Sequence, residues 1–183
     1  MHIRITPLDV GPEDAITAVQ QPGLVAAYAL RPMDQQQPVL VSVWESGGHP
    51  NVSSITAGGQ DYVTGSFHGS DSVEESPAYG QIVYFDPRPQ IEADAIDRAN
   101  RDRISPAVRG IPGNLGAFAG RNPDGSSVVV ALTTSLRAIE DSQRAIMSTE
   151  LLPGEDPAHL SGPDRTQLAW VLAATSQTTP IPV

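Results

Sequence analysis

The chain has 183 residues, 39% hydrophobic and 17% charged, a composition that gives a globular protein enough apolar residues for a sizeable core. Three arginines face ten acids in residues 1–90 and eight face eleven in residues 91–183, for a net charge of -10, which argues against nucleic acid and anionic membranes as partners. There is no cysteine and no lysine, so thiolate nucleophiles, disulfides, cysteine-bound zinc or iron–sulfur, lysine Schiff bases and a Walker lysine are all excluded.

The first stretch, MHIRITPLDVGPEDA, has no basic segment leading into an apolar run, and no eighteen apolar residues occur in succession. The expected location is the cytoplasm. Residues 2–6, HIRIT, alternate as a strand does, and Pro12 opens EDAITAVQ as a short helix with acids in its first turn, where they complement the dipole. Pro22-Gly23 breaks that helix. LVAAYALR (24–31) and PVLVSVWES (38–46) then read as two strands of a hairpin joined by the polar MDQQQ.

GGHPNVSSITA is expected to hold a short helix starting near Pro50, whereas residues 58–78 are turn-rich and read as a long loop, either a functional lid or disordered. Residues 79–88, YGQIVYFDPR, recover a strand pattern that closes the first half. EADAIDRANRDRISPAV follows as a helix with Ile96, Ala99, Arg103 and Ile104 near one face, its regular part ending at Pro106. NLGAFAGR is a strand, NPDG a turn, and SSVVVALTTS a strand whose valine run suggests burial on both faces. Ser135 caps a helix through RAIEDSQRAI, and RTQLAWVLAAT (165–175) is a last strand before a short tail, 177–183.

Pro112 to Ile146 reads like Pro22 to Ser46 shifted by ninety residues. Each half, 1–88 and 89–176, approximates βαββαβ, so the expected class is α+β with two tandem ferredoxin-like units. The repeated Pro22-Gly23 and Pro112-Gly113, Trp44-Glu45-Ser46, Ser135 and LLPGEDPAHLSGPD resemble the antibiotic biosynthesis monooxygenase domain of the dimeric α/β-barrel superfamily. That resemblance implies two units packed sheet to sheet as an intramolecular barrel, because one sheet alone leaves an apolar face uncovered. A pseudo-dimer within one chain is expected, with association into a homodimer still open.

The same resemblance implies a cofactor-independent monooxygenase acting on a hydrophobic aromatic or polyketide-type small molecule, with neither cofactor nor metal. Such a reaction needs an apolar pocket, a base and a group that steadies an anion. A non-catalytic binding or accessory protein, and a haem-binding or haem-degrading one, are the alternatives. Trp44, His49 and His68 are the catalytic candidates, and Tyr28, Asn51, Tyr62 and Phe67 the substrate-binding ones. Trp44 matches a family tryptophan but also suits a core. His49 and Asn51 could be turn or cap residues, while Phe67 and His68 lie together in a glycine-rich stretch. Arg121, Arg137 and Trp170 would offer an anion site in the second half. The four histidines have no metal-ligand spacing, no GxSxG occurs, and GIPGNLGAFAG lacks the dinucleotide pattern.

Overall fold

The computed structural model describes residues 1–45, 58–68 and 75–176. The predicted helix near Pro50, with His49 and Asn51, lies outside the described residues. The chain is α+β: one nine-stranded antiparallel sheet with helices on its outer face, consistent with a ferredoxin-like fold. Strand β1 spans His2–Pro7, helix α1 Pro12–Ala18, β2 Leu24–Pro32 and β3 Val39–Trp44. Pro12 fits the start of α1 because its missing N–H would have no partner there.

Most of the sequence 58–78, expected to be loop, contains two short strands where it is described: β4, Gln60–Tyr62, and β5, Thr64–His68. Their only large apolar side chains at alternating inward positions are Tyr62 and Phe67, and the glycines and serines between them mask the strand pattern. Strand β6, Tyr79–Phe85, was expected to close the first half. It pairs with β8, Ser127–Thr133, and with β9, Arg165–Ser176. β7 is Asn114–Arg121.

The strand order is β4-β1-β3-β2-β9-β6-β8-β7-β5. Within it β4-β1-β3-β2 and β9-β6-β8-β7 have the same fourth-first-third-second order, and β2 pairs with β9 where the sets meet. β4 and β5, at the two ends of this order, are separated in the chain by Val63 alone, which brings the ends of the sheet together. The junction is tight: a Cβ built on Gly120 of β7 would lie 2.8 Å from Tyr62 Cβ and 3.0 Å from Ile3 Cδ1. The sheet thus closes on itself through the run from β4 across Val63 into β5, which bonds β1 at one end and β7 at the other.

Its interior is one packed apolar core. Ile3, Leu30, Val41, Val43, Tyr62, Ile82, Val128 and Val130 are almost wholly buried there, joined by Tyr28 and Phe118. The Phe118 ring sits 4.9 Å from Phe67 and 6.1 Å from Tyr28, centroid to centroid, distances suited to tilted aromatic pairs. A second, smaller core lies outside the sheet, where Ala15 and Ile16 of α1 and Val19 just after it pack on Leu24, Ala27, Leu40 and Trp44. Burying a side chain the size of Ile16 contributes roughly 1.5–3 kcal/mol, so a seven-residue helix that would not persist alone is held by its packing.

The two Pro-Gly pairs do the same backbone work. Gly23 and Gly113 have φ of 88° and 79°, a conformation open to glycine, and each carbonyl accepts from the residue after the hairpin's second strand, Glu45 and Thr134 respectively.

Helix α2, Gln90–Ala99, runs through one π turn, Asn100–Ile104, into α3, Ser105–Val108. Pro106 therefore does not end the helix. It has no N–H to give and would crowd the carbonyl four residues back, and the chain widens just before it, with Ser105 N–H bonding Asn100 O. Helix α4, Leu136–Met147, begins as expected at Ser135, whose Oγ accepts from Ala138 N at 3.2 Å. The valine run of β8 is not buried on both faces: Val128 and Val130 point into the core while Val129 is half-buried. The helix above it stands off from the sheet, leaving a space.

Candidate functional site

That space is a cleft of about 440 Å³ between α2, the π turn and the outer face of β5, β7 and β8. Its sheet side presents Ser66 and His68 of β5, Ala119, Gly120 and Arg121 of β7, and Ser127 to Val129 of β8. Its helix side presents Gln90, Asp97, Asn100 and Arg101. Strand alternation explains the split within β5, since Phe67 turns inward to Phe118 while Ser66 and His68 turn outward to the cleft. Ala119, Gly120 and Val129 give the floor an apolar patch between the polar side chains.

Ser66 Oγ lies 3.1 Å from His68 Nε2 and holds the ring in place. Burial, and then the positive charges of Arg101 and Arg109, push the His68 pKa below its ordinary value, against an opposing pull from Asp97. The imidazole is therefore neutral near pH 7 and able to accept a proton. Arg121 is already committed: its Nη1 lies 2.9 Å from Asp94 Oδ1 and 2.6 Å from Asp97 Oδ2. Among the described residues Arg101 pairs with its neighbour Asp102, Nε to Oδ1 at 2.8 Å, with its side chain 64% exposed.

The sequence-derived candidates are not gathered at one place. Tyr28, Tyr62 and Phe67 belong to the barrel core, and burial pushes the Tyr28 phenol up to about 12, so it stays protonated. Trp44 lies beneath α1, 1% exposed, with no hydrogen-bond partner for its Nε1 among the described residues. His68 faces the cleft. Of the anion-site trio, Arg121 lines the cleft, Arg137 extends 87% exposed from α4, and Trp170 packs under Arg31 with the guanidinium 5.0 Å from its ring. Gln90, Asp97, Asn100 and Arg101 escaped notice, although Gln90, Asp97 and Arg101 follow one another at seven and four residues, a helical spacing that puts them on one polar stripe.

A second opening, about 330 Å³, lies at the barrel end between Tyr62, Tyr84, Asp86, Asp124, Asp164 and Arg165. Arg165 covers the Tyr84 ring at 3.9 Å, and burial raises the pKa of both tyrosines, so neither is a base there. Among the described residues no group of three or more His, Asp or Glu could hold a metal ion, and no helix is long and apolar enough to cross a membrane.

No protein-family model and no curated protein matches the chain. Among solved structures it is similar to two described as "putative monooxygenase". The one from Fusobacterium nucleatum shares 9% identity at a TM-score of 0.66, over 96% of this chain and 93% of that one. The one from Lactobacillus acidophilus shares 10% at 0.62, over 96% of each chain. An anthrone oxidase-like protein shares 14% at 0.50, over 98% of this chain and 94% of that one. At such identities the likeness is one of fold.

Proposed function

We propose that this chain is an antibiotic-biosynthesis-monooxygenase-like protein, a tandem duplication of a ferredoxin-like unit, whose helix–sheet cleft oxidises a planar aromatic small molecule with dioxygen. The repeated strand order and the matched Gly23 and Gly113 hydrogen bonds support the duplication, with the boundary falling before β6. The names carried by the structural neighbours favour oxygenase chemistry. The observation that carries the reading is His68: a neutral imidazole, oriented by Ser66, on the wall of a cleft large enough for a fused-ring ligand.

In this reading His68 removes a proton from an activated C–H or O–H of the bound aromatic, and the resulting carbanion passes one electron to dioxygen. The radical and superoxide recombine to a peroxide at carbon, which takes up the proton His68 removed. Loss of water from that peroxide leaves a ketone, so that a ring methylene and one dioxygen become a ring carbonyl and one water. The apolar floor of Ala119, Gly120 and Val129 shields the intermediates from solvent. Tyr28 and Phe67 lie in the core behind the sheet and Trp44 beneath α1, so in this reading none of the three touches the ligand.

An oxygen electrode tests this with anthrone as probe and chelator-treated protein. The expected result is uptake above the buffer rate, rising with pH through the lowered pKa of His68 and then level, and lost in His68→Gln while the fold is kept. Uptake equal to buffer, or unchanged in His68→Gln, would overturn it.

A further inference from the structure

Under the oxygenase reading, on which this inference rests, the ligand's charge is set by which cation of the cleft is free to meet it. Arg121 is engaged by Asp94 and Asp97, so those three groups sum to about one negative charge and offer no spare guanidinium. Arg101 is different. Its partner is the adjacent Asp102, the pair is solvent-exposed, and such pairs hold their members weakly. Turning toward the cleft costs Arg101 little.

The π turn matters to this placement. It adds a residue to one helical turn, which rotates everything after it relative to what comes before. Arg101 lies within it and Arg109 beyond it, yet both charges act on His68. Asp97 and Asp102 stand on the same side, so the helix wall carries charges of both signs, with Arg101 as its exposed cation. Opposite stands the apolar patch of Ala119, Gly120 and Val129, small side chains that leave room for an aromatic ring system.

We propose that Arg101 is the specificity-determining residue of the cleft, selecting planar aromatics that carry an ionised carboxylate or phenolate on one edge over neutral ones of the same shape. The guanidinium forms a charge-assisted pair with the ligand oxygen while the rings lie on the β7 and β8 floor. Asn100, beside it on the cleft wall, supplies an amide to the same edge.

Equilibrium binding of anthracene-2-carboxylate and anthracene-2-carboxamide, followed by fluorescence polarisation, tests the selection with two probes of one size. A charge-assisted hydrogen bond predicts roughly tenfold tighter binding of the carboxylate. Arg101→Gln is expected to bring the two affinities together by weakening the carboxylate alone. Arg137→Gln, outside the cleft, should keep the preference. A preference that survives Arg101→Gln, no preference in the native chain, or binding of neither probe would overturn the inference. Equal binding of the probes alongside oxygen uptake on anthrone would sink the selectivity and spare the oxygenase reading. Carboxylate preference without any uptake would do the reverse.

Discussion

Replacing Gly120 with alanine probes the seam that closes the sheet. The added Cβ would meet Tyr62 Cβ at 2.8 Å and Ile3 Cδ1 at 3.0 Å, whereas carbon atoms rest at about 3.5–4.0 Å, so the clash is roughly 1 Å deep. Tyr62 Cβ is fixed to the β4 backbone and cannot rotate away, so β7 must move off β1 and β4. Overpacking of this kind costs about 1–3 kcal/mol, and a backbone-anchored clash belongs in the upper half of that range. For a chain of this size that lowers the melting temperature by roughly 4–12 °C. Gly110→Ala is the control: its Cβ meets nothing within 4 Å, and a change there should stay within about 0.5 kcal/mol. Circular-dichroism melts of both variants decide the matter. A Gly120→Ala protein that melts with the native chain would refute the closed seam.

Arg103 and Glu155 tie the π turn to the loop after α4, Nε to Oε2 at 3.0 Å, with the Glu155 side chain only 2% exposed. Arg103→Met strands that carboxylate, so urea unfolding should report a loss of about 3–5 kcal/mol, and Glu155→Gln in the same chain should restore part of it. In alkaline solution the raised pKa values of Tyr28, Tyr62 and Tyr84 mean that the folded chain holds protons the unfolded chain has lost. Stability from these groups is complete below pH 10 and falls as pH rises toward and past 12. Absorbance at 295 nm should show these three phenols ionising together with unfolding, and ionisation near pH 10 in the folded chain would contradict their burial.

The sequence made the regular elements visible where one residue type forces a local choice. Pro12, the two Pro-Gly pairs and Ser135 each start an element as their chemistry requires. β4 and β5 stayed hidden because a three-residue strand and a five-residue strand, each with one inward aromatic, carry too few alternations to register. Pro106 read as a terminator because the π turn that accommodates it has no sequence signature. His68 stood out as chemistry without a location, and its neighbours across the cleft could be named only once α2 had been placed over β7. Trp44 shows the converse, an eye-catching residue whose surroundings are those of a core.

The claim at the centre of this account is that His68 is a neutral base facing a ligand cleft. NMR titration of the histidine ring protons, with His68 assigned by comparison with His68→Gln, measures that directly. The account predicts an apparent pKa below the ordinary 6.5, moving upward in Arg101→Gln, and a shift of the His68 signal when anthracene-2-carboxylate is added. A His68 that titrates at or above 6.5 and ignores the ligand would contradict it.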